Sequence, residues 1–356
     1  MKRTAWYWLA LGIVLSLLTL ESRAAICYFG YATTPPADLA AISSSVHTSS
    51  GYYVVASATE NVVTTVSQIN TAIGPVILNL ENLIWNPNQV TGVDCRHYER
   101  GTTGTTTSNY LLRGAYASNL QTFLDANSSV FQGGNKVRGI VVSSEANNRC
   151  IENWKLNTAA TTLANWFTSH PTLVRPPFIV GYGLTNTYIN GVPTIVSKGL
   201  PVDTNGNIAK FPSGINLIAY WSYDIWDPSN AAHPNNLNGE TWATISNKLN
   251  LALQPGQQTL GVLQAFCTRA GGAVETAWGI GCPNMAVWKL GVVADNWRNY
   301  WLADSRNVGV IAFAWQDTPE FYGTRSMSPI WPNHSAINDM RNCMMLTDPA
   351  GHEPVK

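Results

Sequence analysis

Charge is what this chain has least of. Asp, Glu, Lys and Arg make only 12% of its 356 residues and sum to a formal net charge of zero, so the basic stripe with which a protein meets nucleic acid is missing. No C-x-x-C pair occurs, and Cys95 with His97 is too sparse a set for zinc. No G-x-S-x-G occurs, which argues against a serine esterase. No glycine-rich turn follows the first apolar run, which argues against a dinucleotide-binding open sheet. Neither a metal nor an organic cofactor is therefore expected. Beyond residue 25 no segment is apolar for long enough to span a bilayer, and none has the composition of a linker.

The N terminus carries a different signal. Lys2 and Arg3 precede an apolar stretch from Trp6 to Leu20, then polar Glu21, Ser22 and Arg23 and small Ala24 and Ala25. That order predicts a secretory signal peptide over residues 1–24, with an uncleaved membrane anchor as the competing reading. The expected location is outside the cytoplasm, secreted or periplasmic. Residues 25–356, about 330 in all, read as one domain, a length that α/β barrels reach. The chain holds 14 Trp and 14 Tyr against its few charges, a surface suited to a neutral ligand.

Short apolar runs alternate with amphipathic stretches, the pattern of buried parallel strands and covering helices. The strand candidates are Ile26–Tyr31, Tyr52–Ser57, Pro75–Leu80, Val137–Val142, Pro177–Tyr182, Asn216–Trp221, Thr259–Phe266 and Val308–Trp315. Helices are expected from Pro35 to Ile42, over Val62–Ile73, over Tyr110–Leu124, around Leu163–Phe167, over Trp242–Leu253, over Met285–Trp301 and around Ile337–Met344. Between Leu184 and Gly214 there is no helical stripe. Tyr188-Ile189-Asn190-Gly191-Val192 reads as a hairpin on an Asn-Gly turn. Eight strands alternating with helices predict a (β/α)8 TIM barrel, with the fifth helix weak or replaced by that hairpin.

The barrel orders the six cysteines. Cys27 at the first strand and Cys343 in the last helix would tie the ends together. Cys95 and Cys150 follow adjacent strands, and Cys267 and Cys282 share one loop. This is one of many connectivities that six cysteines allow.

Active sites of such barrels lie at the C-terminal strand ends. Glu81, Glu145, Asn147, Tyr182, Trp221, Tyr223, Asp224, Gln264, Trp315 and Asp317 occupy those positions. Crowded carboxylates raise one another's proton affinity, and a carboxyl that keeps its proton near neutrality is a general acid. Glycoside hydrolysis uses such a pair. Glu145, Glu81 and Asp224 are the catalytic candidates; Trp221, Trp315, Tyr182, Tyr223, Gln264, Asn147 and Asp317 are the candidates for ligand contact. The bland alternatives are that Arg149 satisfies Glu145 and that Arg96 or Arg100 braces with Glu81.

The run Gly139-Ile140-Val141-Val142-Ser143-Ser144-Glu145 resembles the fourth strand of the TIM-barrel glycoside hydrolases, where the acid/base glutamate stands just past the strand. Ile215-Asn216-Leu217-Ile218-Ala219-Tyr220 to Asp224 resembles the sixth strand of their chitinase-like branch, and Ala314-Trp315-Gln316 resembles the tryptophan that closes strand eight in several branches. The resemblance departs from both branches. Val141 and Ser143 stand where chitinase-like enzymes carry aspartates. Ser144 precedes Glu145 where the paired-glutamate retaining enzymes have Asn, and strand seven ends in Gln264 in place of a glutamate. The resemblance implies hydrolysis of a poly- or oligosaccharide by carboxylate acid/base catalysis. The alternative is a lectin-like barrel that binds carbohydrate without cleaving it. The expected partner is a carbohydrate, met as a monomer, with no nucleic acid and no membrane span after signal removal.

Overall fold

The computed structural model describes residues 28–31, 50–90, 98, 107–133, 136–147, 149–184, 188–189, 192–193, 199–221, 229, 241–264, 266–268, 296–297, 300–301, 303–313 and 321–323. Eight parallel strands form its centre: β1 (Tyr28–Tyr31), β2 (Gly51–Val54), β3 (Val76–Asn79), β4 (Val137–Ser143), β5 (Phe178–Gly183), β6 (Leu217–Trp221), β7 (Gln258–Gln264) and β8 (Asn307–Phe313). Each falls on one of the eight apolar runs of the sequence. Strands buried on both faces carry apolar residues throughout, so their positions are easy to see.

The hydrogen-bonded row runs β1-β8-β7-β6-β5-β4-β3-β2, every pairing parallel. It is the cyclic order of a barrel, opened between β1 and β2. Those two end strands lie side by side, with Cα atoms within 8 Å. The architecture is the expected (β/α)8 barrel.

Four helices of the outer layer are described: α1 (Val63–Ala72), α2 (Tyr116–Ala126), α3 (Asn153–Ser169) and α4 (Trp242–Ala252). Their buried residues follow helical spacing. In α3 the buried apolar residues are Leu156, Ala159, Ala160, Leu163, Trp166 and Phe167, a stripe that packs on the sheet. Trp297 and Trp301, expected on a helical stripe of the outer ring, are buried and stacked 5.3 Å apart, and Trp301 Nε1 donates to Tyr220 Oη at 3.0 Å.

The expected third helix starts later than the pattern suggested. Tyr110 and Leu111 belong to a strand, Thr107–Leu112, which pairs antiparallel with Trp85–Val90, and α2 begins only at Tyr116. Apolar residues two apart and apolar residues three or four apart overlap over so short a stretch. Tyr188–Ile189 pairs antiparallel with Val192–Pro193, giving the hairpin expected in place of a fifth helix, and no helix occurs among the described residues between Leu184 and Gly214. The first and last expected helices lie outside the described residues. Among the described residues no helix is long and apolar enough to cross a membrane.

Two apolar layers divide the strand residues. Tyr52, Ile77, Val141, Ile179, Leu217, Ala219, Leu260, Val308 and Ile311 form the barrel interior. Leu78, Ile140, Val142, Phe178, Val180, Ile218 and Tyr220 join the layer shared with the helices. This alternation sets which strand-end residues face the barrel mouth.

Candidate active site

At the end of β4 the ladder slips: Val141 pairs with Ile179, but Ser143 pairs with Val180, so two residues oppose one. Such a bulge bends the strand and re-aims the side chains beyond it. The chain then winds into a tight turn. Ala146 N–H donates to Gly181 O at 2.9 Å, Arg149 N–H to Glu145 O at 3.0 Å, and Ile151 N–H to Ala146 O at 2.9 Å. This turn puts Glu145 and Arg149 four residues apart on one side. It closes at Cys150, whose φ is 55° and which is disulfide-bonded. Its expected partner Cys95 lies outside the described residues, as do Cys27, Cys282 and Cys343; Cys267 is described by its backbone alone, in a strand opposite Tyr322.

The end of β3 supplies the other half. Asn79 Oδ1 accepts from Glu81 N–H at 2.9 Å, and its Nδ2 donates to Tyr52 Oη at 2.9 Å. Glu81 opens a single helical turn, Glu81–Ile84. From there Glu81 Oε2 accepts from the backbone N–H of Ser144 at 2.7 Å and from Ser144 Oγ at 2.9 Å. Glu81 Oε1 forms an ion pair with Arg149 Nη1. The partner of Glu81 is therefore Arg149; Arg96 and Arg100 lie outside the described residues.

Arg149 serves both carboxylates. Its Nε lies 3.7 Å from Glu145 Oε2. Burial works against the Arg149 charge, but Glu81 first, then Glu145 and Tyr110, together outweigh it, so its pKa is raised. The guanidinium carbon sits 4.8 Å from the centre of the Tyr110 ring.

Glu145 is under opposing influences. Its side chain keeps 43% of its surface open. Yet burial is the largest influence on it and pushes its pKa up; Arg149 pulls it down and Glu81 pushes it up again. The carboxyl is thus half-exposed just past the end of β4. Tyr52 in the barrel interior is raised too, by burial first and by Glu81 next.

Register settles the face of the remaining candidates. Trp221 pairs with Gly183, and Ala219 with Gly181, on the interior side. The indole lies across both glycines: a Cβ on Gly183 would come within 2.9 Å of Trp221 Nε1, and one on Gly181 within 3.0 Å of its ring. Trp221 thus stands at the barrel mouth. Tyr182 pairs with Tyr220 and faces the helices. Fully buried, its ring is 4.8 Å from that of Phe211 and 6.2 Å from that of Tyr98. Its expected place among the ligand contacts is corrected accordingly: strand alternation aims it away from the mouth.

Asn147 is buried, with its amide spent on Gly183: Nδ2 donates to Gly183 O at 2.7 Å and Oδ1 accepts from Gly183 N–H at 2.9 Å. It braces β5. Gln264 ends β7 opposite Phe313. Tyr223, Asp224, Trp315 and Asp317 lie outside the described residues. Sequence reasoning passed over Tyr52, Asn79, Ser144 and Tyr110 at this site. The signal for Asn79 and Ser144 was their place beside strand-end carboxylates; Tyr110 had none, because the hairpin carrying it was read as a helix.

No protein-family model matches the chain, and no curated protein matches its sequence. Solved structures do. Its path resembles glycoside hydrolases. A GH113 β-1,4-mannanase aligns at TM-score 0.42 and 11% identity over 89% of this chain and 97% of its own. The GH113 β-mannanase AaManA from Alicyclobacillus acidocaldarius, in complex with ManMIm, aligns at TM-score 0.45 and 8% identity over 91% and 98%. Saccharomyces cerevisiae Gas2p in complex with laminaripentaose aligns at TM-score 0.43 and 10% identity over 94% and 68%. The likeness is one of overall path.

Proposed function

We propose that this protein is an exported glycoside hydrolase acting on a neutral poly- or oligosaccharide, with Glu145 as the proton donor. The observation that carries this reading is the placement of Glu145: a half-exposed carboxyl just past β4, beside an Arg149 that also pairs with Glu81, with its proton affinity raised by burial and by Glu81. Protonated Glu145 gives its proton to the glycosidic oxygen as the bond from the anomeric carbon to that oxygen breaks. Positive charge develops on the ring that carries the anomeric carbon, the protonated sugar leaves, and water takes its place on that carbon. The carboxylate left on Glu145 lies beside Arg149, whose Nε is 3.7 Å away.

The partner carboxylate is Asp224 in this reading. Glu81 has both oxygens engaged, one by Arg149 and one by Ser144, which suits holding charge better than attacking carbon or activating water. Trp221 offers an indole edge at the mouth, and Trp315 is the second tryptophan assigned to the sugar in this reading. Mature protein, offered a panel of neutral glycans, would release new reducing ends, and Glu145→Gln would slow release by about 10²–10⁴-fold. Equal turnover by the variant would sink the assignment.

The engagement of Glu81 also favours a second reading, a barrel that binds sugar without cleaving it. In that case the same panel shows glycan binding by calorimetry, no release of reducing ends, and no dependence on Glu145→Gln.

A further inference from the structure

The hairpin Trp85–Val90/Thr107–Leu112 is inserted between β3 and α2 and is no part of the eight-stranded sheet. It is nonetheless tied to the turn that bears Glu145 and Arg149 at three points. Trp85 Nε1 donates to Val142 O at 2.7 Å, next to the β4 bulge. Tyr110 N–H donates to Arg149 O at 2.9 Å. The Tyr110 ring lies under the Arg149 guanidinium. Arg113 fastens the base, with Nε donating to Trp85 O at 2.7 Å and N–H to Ile84 O at 2.9 Å. Both the backbone and the side chain of Arg149 are thus held by one residue of the hairpin.

We propose that Arg149 is a positioning residue which Tyr110 holds between Glu81 and Glu145, so that the hairpin is part of the acid–base apparatus. An arginine with a free stem can pair end-on with one carboxylate and leave the other. A ring beneath the guanidinium fixes its plane, so that Nη1 reaches Glu81 while Nε stays near Glu145. Among the described residues, the charged and titratable groups that act on Glu145 are Arg149 on its own turn, Glu81 after β3 and Tyr52 on β2. Arg149 alone of these is positive. Its placement therefore decides how much of the repulsion between the two glutamates is cancelled.

The inference rests on Glu145 being the acid, but its test reads protonation and not turnover. The full mature protein, carrying ¹³C-labelled glutamate, is titrated by NMR, with the Glu145 signal assigned by its loss in Glu145→Gln. Arg149→Met removes the positive charge, and the Glu145 midpoint should move up. Tyr110→Leu removes the ring but not the charge, and should move it up by less. Tyr110→Phe keeps the ring and should restore the wild-type midpoint. The proposal is overturned if Tyr110→Leu titrates like wild type, or if Tyr110→Phe shifts as far as Tyr110→Leu. Should Tyr110→Leu not fold, Arg149→Met alone decides: an unmoved midpoint ends the proposal. A midpoint that responds as described in a protein that cleaves no glycan would defeat the hydrolase reading and leave this one standing.

Discussion

The backbone N–H of Ser144 donates to Glu81 Oε2 at 2.7 Å, joining the ends of β3 and β4 across 63 residues of chain. With Ser144 Oγ and Arg149 on the same carboxylate, Glu81 is the point where the two halves of the site meet.

Truncating Glu81 should therefore cost stability as well as function. Glu81→Ala strands the Arg149 guanidinium and the Ser144 N–H in a mostly buried place, a loss of about 2–3 kcal/mol. Urea unfolding followed by circular dichroism measures it. A midpoint unchanged from wild type would mean that water replaces the carboxylate freely.

The contribution of Glu145 to stability should depend on pH. Its folded pKa is raised by burial, so the folded chain binds that proton more tightly than the unfolded chain does. The stability this contributes is complete below the unfolded carboxyl's pKa and disappears as pH rises through the folded value. Glu145→Gln is neutral throughout. It should melt at a higher temperature than wild type at neutral pH, with the gap closing near pH ~4. A gap that widens on acidification would contradict the raised value.

Gly181 sits where β5 passes beneath both Ser144 and Trp221. An added Cβ would fall 2.2 Å from the carbonyl oxygen of Ser144, a backbone atom that has no rotamer to change. Gly181→Ala should cost about 1–3 kcal/mol and disturb glycan binding with it. Thermal melting and calorimetry on the same sample test the pair of effects; alanine accepted with neither would show the β4 turn to be looser than its hydrogen bonds imply.

Asn147 separates bracing from ligand contact. Asn147→Ala leaves the N–H and C=O of Gly183 without their side-chain partner, at a cost of about 2 kcal/mol. The melting temperature should fall while the affinity for a glycan, measured well below the new transition, changes little. A large affinity loss at unchanged stability would make Asn147 a ligand contact after all.

The position of every barrel strand is legible in the sequence, because each is apolar on both faces and bounded by polar turns. The hairpin at Tyr188–Pro193 is legible from its Asn-Gly pair. That same double-sided apolarity hides orientation. Nothing in Gly181-Tyr182-Gly183 says which residue faces inward; the pairing of Tyr182 with Tyr220 does. Tyr110 was misplaced for a related reason, since its stretch fits strand and helix spacing alike. The partner of Glu81 was out of reach because choosing among several arginines requires distances across the barrel.

Sequence alone determined the number and order of the strands, the hairpin after β5 and a glutamate just past β4, since burial and turn chemistry act locally on composition. The tertiary structure decided the bulge at Ser143, the inward face of Trp221 and the sharing of Arg149 between two carboxylates. Those depend on register between strands and on charges brought together from distant segments, and neither leaves a mark in the order of residues.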